Sequence, residues 1–121
     1  MRFIDMQGFC IRPDRQVALQ QRLAANEDRI RQSYPEGCEY GGIYVAPYTS
    51  EKNAGECFWL DILDSYAALD RVAAASNDPE SEYAKIGREF VEFIDFSRTD
   101  SWSHTLLKSV VDATVWDVPA G

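Results

Sequence analysis

A chain of 121 residues with 45% apolar and 26% charged side chains has the size and composition to bury one core rather than stay disordered. Its net charge of −8 falls unevenly, because the first 37 residues hold six arginines against five acids and the remainder carries the negative excess. Such a surface repels phosphate backbones and anionic lipid, and no apolar run nears the ~20 residues of a membrane span, so nucleic acid and membranes are excluded as partners.

The opening Met1-Arg2-Phe3-Ile4-Asp5 has neither the apolar stretch nor the cleavage site of an export signal, so a cytoplasmic location is expected. Cys10, Cys38 and Cys57 are odd in number, widely spaced and set among strand-like residues. That pattern fits small buried hydrophobes better than a disulfide framework. One histidine, His104, gives poor support to a zinc site. No glycine loop for phosphates, nucleophile elbow, dinucleotide fingerprint or EF-hand is present, so no cofactor and no metal are expected.

Taken in order, residues 3–11 alternate as a strand, with Ile4, Met6, Gly8 and Cys10 on one side and Phe3, Asp5, Gln7, Phe9 and Ile11 on the other. Pro13 suits the first turn of a helix. From Asp14 to Ser33, Leu19, Leu23, Asn26, Ile30 and Tyr34 form its stripe, and Tyr34-Pro35-Glu36-Gly37 ends it. A second strand runs from Cys38 to about Tyr48, with Tyr40, Gly42, Tyr44 and Tyr48 on one face and Ile43 and Val45 on the other. Gly41-Gly42 inside it suggests a bulge or a close backbone approach.

A polar turn, Thr49 to Gly55, leads to a third strand, Glu56 to Leu63, where Phe58, Leu60 and Ile62 oppose Cys57, Trp59 and Asp61. Asp64 or Ser65 can cap the next helix, whose stripe is Leu69, Val72 and Ala73. Asn77-Asp78-Pro79 breaks and restarts it, with Asp78 as the cap. Tyr83, Ile86, Phe90, Phe93 and Ile94 then line one side of a further helix, and Gly87 within it costs about 1 kcal/mol relative to alanine. After the polar loop 97–101, a last strand is expected from Ser103 towards Trp116.

The order βαβ-βααβ predicts one α+β domain over residues 1–121, with a four-stranded antiparallel sheet and its helices on one face. The aliphatic set Ile4, Met6, Ile43, Val45, Phe58, Leu60 and Ile62 is the expected floor for those helices. Phe3, Phe9, Tyr40, Tyr44, Tyr48 and Trp59 would then be left open beside Asp5, Gln7 and Asp61. Six rings that each bury roughly 150–250 Å² make too large an apolar patch for a monomer, and a second copy of the sheet is the simplest cover.

The entry Phe3 to Pro13, the hairpin Tyr40 to Leu63, and Ser65-Tyr66-Ala67-Ala68-Leu69-Asp70 resemble the dimeric α+β barrel superfamily of ferredoxin-like proteins. That assembly serves antibiotic-biosynthesis-type monooxygenases and stress-responsive barrel proteins. The added helix from Pro79 departs from its shortest members. The resemblance implies a homodimer with pockets between sheet and helices or inside the barrel, without specifying a reaction.

Within that frame Tyr40, Tyr44, Tyr48 and Trp59 are candidate ligand-binding residues, the alternative being plain interface packing. His104 and Asp61 are candidate catalytic groups, because imidazole titrates near neutrality and a buried carboxylate gains basicity. The duller readings are a strand-end histidine bonded to backbone or Asp100, and a salt bridge of Asp61 or Asp5 with Arg2 or Arg12. Arg98 and Lys108 could hold a ligand carboxylate or simply offset acids. Three functions follow: a homodimer binding a small organic molecule, a cofactor-independent monooxygenase or isomerase, and a structural or regulatory dimer without a ligand.

Overall fold

The computed structural model describes residues 2–47, 55–97 and 102–112. Strand β1 (Phe3–Phe9) leads through a 3₁₀ turn at Pro13–Arg15 into helix α1 (Gln16–Gln32), and the chain returns as β2 (Cys38–Val45). Then come β3 (Cys57–Leu63), helices α2 (Ala67–Asn77) and α3 (Glu82–Val91), and β4 (Trp102–Lys108). The strands form one antiparallel sheet in the order β2-β3-β1-β4, which is the ferredoxin-like α+β arrangement the element order predicts. No helix among the described residues is long and apolar enough to cross a membrane.

Local details shift where side chains compete for the backbone. Ser81 caps α3 by accepting from the Ala84 N–H, while Asp78, the expected cap, accepts from the Glu80 N–H one turn earlier. Neither Asp64 nor Ser65 caps α2, whose N-cap position is Tyr66 with no side-chain bond. Ile11, expected at the end of the first strand, forms a bridge to Ile94 instead. The last strand ends at Lys108, earlier than expected, and residues 113–121 lie outside the described set, as do Tyr48 and Arg98.

The expected assignment of the two sheet faces is reversed. Phe3, Asp5, Phe9, Cys57, Asp61 and Leu63 are buried beneath the helices, whereas Ile4, Met6, Phe58, Leu60 and Ile62 are only half-buried on the open face. One cluster joins Phe9 and Cys57 to Leu19 of α1 and Phe90 of α3, with Phe93 and Ile94 just beyond it. Another joins Phe3, Cys38 and Leu63 to Ala68 of α2.

Burying Asp5 and Asp61 requires partners, and tyrosine hydroxyls carried in by the covering elements satisfy one of them, while histidine and glutamine satisfy the other. In β2 the register shifts between Tyr40 and Gly42, and Gly42 sits at φ +105°. This is the bulge anticipated at the glycine pair. It turns Tyr40 and Ile43 towards the helices and leaves Tyr44 57% exposed opposite Phe58. All three cysteines are buried and none is in a disulfide, and burial pushes the Cys57 thiol up to about 11.

Candidate functional site

Asp5 and Asp61 stand directly opposite each other on β1 and β3 and share the helix side of the sheet. Asp61 is 2% exposed. Its Oδ1 accepts a short hydrogen bond from the Tyr34 hydroxyl, and its Oδ2 accepts from Tyr83 at 3.4 Å. Trp59 Nε1–H donates in turn to the Tyr34 oxygen at 2.5 Å. These partners come from the exit of α1, the first turn of α3 and the neighbouring position-but-one of β3, so three elements converge on one carboxylate.

Burial pushes the Asp61 carboxyl up to about 6; the Tyr34 hydrogen bond opposes that rise and the nearby Asp5 charge adds to it. Burial and the Asp61 charge hold the Tyr34 and Tyr83 hydroxyls well above the ordinary phenol value, so both remain donors. Tyr40, beneath α1, is pushed to about 12 by burial and by Glu27, whose carboxylate its hydroxyl reaches at 3.4 Å.

Asp5 has separate partners. Its Oδ1 meets His104 Nε2, and its Oδ2 accepts from Gln7 Nε2 at 3.4 Å. His104 lies across from Gln7 on edge strand β4, with its side chain 55% exposed. A carboxylate on Nε2 places the proton there and leaves Nδ1 as the acceptor.

Beside these groups a cavity of about 420 Å³ opens between the sheet and helices α2 and α3. Gln7, Phe9, Trp59, Asp61 and Trp102 form its sheet side, and Tyr83, Ile86, Gly87, Phe90 and Val91 form its helix side. Its walls are aromatic: Trp59 meets Phe90 edge-on at 5.0 Å, and Phe9 meets Phe90 at 5.1 Å and Trp102 at 5.2 Å.

Of the residues expected to line one cavity, Trp59 and Asp61 do so, and His104 stands one strand away beside Gln7. Tyr40 is buried under α1 and meets Trp59 at 6.1 Å. Tyr44 is on the opposite face, so it cannot share a site with Asp61. Asp5 pairs with His104, not with Arg2 or Arg12; Arg12 binds Asp14. Lys108 lies over the Phe3 and Tyr66 rings.

Tyr34, Tyr83 and Gln7 were missed as site residues. Both tyrosines occupy apolar-stripe positions, where a buried hydroxyl requires an acceptor, and Asp5 and Asp61 at inward strand positions require donors. Matching those two needs was the available signal. Among the described residues no group of three or more metal-ligating side chains is gathered.

The fold is that of the ferredoxin-like α+β barrel proteins. An uncharacterised NIPSNAP-like domain protein from Burkholderia xenovorans superposes with a TM-score of 0.63 at 12% identity, over 93% of this chain and 88% of that one. Rv0793 from Mycobacterium tuberculosis superposes at 0.55 with 23% identity, over 93% and 99%. A putative antibiotic biosynthesis monooxygenase from Nitrosomonas europaea gives 0.57 at 7% identity, over 92% of each chain. At such identities the likeness extends to the fold alone. No family model and no curated protein matches this sequence.

Proposed function

We propose that this chain forms a homodimer through its open sheet face and binds a small aromatic organic molecule in the cleft between sheet and helices. The cleft carries this reading: about 420 Å³, walled by Trp59, Phe90, Phe9 and Trp102, with a buried carboxylate at its side. Small-molecule sites combine such apolar walls with a few fixed polar groups. The dimer rests on the second face, where Ile4, Met6, Phe58, Leu60 and Ile62 present hydrocarbon that none of the described helices covers. An antiparallel sheet that is apolar on both faces needs both covered. Saturable shifts of ring resonances by aromatic probes, lost in Trp59→Ala, are the expected result. Shifts that survive this change would move the site elsewhere.

The His104–Asp5 pair favours a second reading, cofactor-independent oxygenation or isomerisation. His104 Nδ1 takes a proton from an acidic C–H of the ligand, with Asp5 stabilising the imidazolium. Asp61 is the other candidate base. In an isomerase the proton returns at another carbon. In an oxygenase the carbanion's electrons pass to O₂, one oxygen atom entering the product as a carbonyl and the other leaving as water with the two substrate hydrogens. His104→Ala is expected to abolish turnover with ligand affinity retained. Undiminished turnover in both His104→Ala and Asp61→Asn would remove acid–base catalysis by these groups.

A further inference from the structure

Three features of the cleft bear on the charge of its occupant. The first is Asp61 itself. A carboxylate offers about four acceptor positions, and two are taken, by Tyr34 and Tyr83. Among the described residues it has no cationic partner and no imidazole beside it, whereas Asp5 has the His104 ring. The second is the wall chemistry. Trp59, Phe90 and Trp102 line the space, and the electron-rich face of such a ring suits a cation as well as a flat ring.

The third is Gly87, in the middle of α3. A Cβ built there meets no atom within 4 Å, and the residue lines the cavity. No turn, positive φ or neighbouring side chain requires glycine at this position. Gly87 is exposed and open space surrounds it, so its cost to the helix has no return within the described chain, whereas an occupant of the cleft could lie close against α3 there. The one basic side chain among the described lining residues, Arg88, is exposed and donates to the Pro79 carbonyl at 3.0 Å. It therefore offers an anion far less than Asp61 offers a cation.

We infer that the cleft selects an aromatic organic cation, a one- or two-ring molecule bearing a protonated amine, with its ring between Trp59 and Gly87 and its ammonium on the Asp61 carboxylate. This deepens, and rests on, the small-molecule reading of the same cleft. The amine supplies the positive charge that the buried carboxylate, already bonded to Tyr34 and Tyr83, lacks, and its ring replaces water along the aromatic wall.

Three probes of one shape and different charge test this: tryptamine, the neutral tryptophol and the anionic indole-3-acetate, titrated calorimetrically into the full chain at neutral pH. Tryptamine is expected to bind roughly ten- to a hundredfold more tightly than tryptophol, as a charged hydrogen bond implies, with indole-3-acetate weakest. Asp61→Asn should abolish the preference for amine over alcohol. Gly87→Val, which fills the gap while improving helix propensity, should weaken both.

Equal or tighter binding of tryptophol or indole-3-acetate overturns the cation, and the aromatic cleft still stands. Tryptamine binding unchanged by Asp61→Asn, or by Gly87→Val, likewise overturns it. Absence of binding by all three probes at millimolar concentration removes both the cation and the cleft as a ligand site.

Discussion

On the helix side of the sheet, Phe3, Phe9, Trp59 and Leu63 surround two carboxylates whose partners come from helix ends and from an edge strand. On the other side, strands β1 and β3 offer Ile4, Met6, Phe58, Leu60 and Ile62, with no charged group among them. Both faces are apolar enough to demand cover, but they solve the demand differently. The helix side is covered within the chain, which can deliver specific partners to each acid, hydroxyls to Asp61 and ring and amide nitrogens to Asp5. The open side is mainly hydrocarbon on β1 and β3, with Glu56 and Ser103 bonded to each other beside Gly8, and its apolar part suits a self-complementary interface where each residue meets a symmetry mate.

The largest test of this contrast places one lysine on each face. Leu63 is 1% exposed and lies among Phe3, Cys38 and Ala68. Leu63→Lys buries an unpaired ammonium, and the expected loss is more than about 4 kcal/mol, enough to leave the domain largely unfolded by circular dichroism. Leu60→Lys, three residues away on the open face, should keep a native spectrum yet convert the proposed dimer to a monomer by light scattering. Unfolding by both substitutions, or by neither, would mean that the faces are not distinct in this way.

The contrast also marks what could be seen from sequence. The period-2 strands, the 3.6-period helices, their order and the glycine bulge were all legible, because each is encoded over a few neighbouring residues. Which sheet face meets the helices was not. Local alternation separates the faces but does not label them, and the aliphatic set looked like the better core. The deciding interactions, Tyr34 and Tyr83 with Asp61 and His104 with Asp5, span 22 to 99 positions of sequence. Trp59 and Asp61 entered the candidate site because they alternate with aliphatic residues on a strand. Tyr44 entered for the same reason and fell on the other face, since the bulge at Gly42 ends the common alternation with Tyr40.

A smaller effect probes how well the helix side accommodates its acids. Asp61 has its pKa raised from 3.8 to about 6 by folding, so the native state holds this proton more tightly than the unfolded chain does. Its contribution is therefore greatest at low pH and is lost as pH rises through the window from about 4 to 6. Asp61→Asn keeps the acceptor for Tyr34 and removes the ionisation. The variant should match the wild type near pH 4 and exceed it at pH 8 by roughly 2 kcal/mol in urea unfolding. A variant less stable at pH 8 would show that the tyrosine donors favour the anion more than burial disfavours it.

The smallest effect concerns the point in β2 where the two faces exchange residues. Gly42 holds φ +105°, and a Cβ there would come within 2.8 Å of the Tyr44 ring. Gly42→Ala is expected to cost about 1–2 kcal/mol, since the left-handed side of the map disfavours L-residues and the Tyr44 ring must move. Gly87→Ala, at a negative-φ helical position with open space around it, should gain up to about 1 kcal/mol instead. Paired thermal melts read both signs. A loss at Gly42 accompanied by weaker self-association would tie the bulge to the presentation of Tyr44 on the open face. A loss without that change would confine the role of Gly42 to backbone geometry.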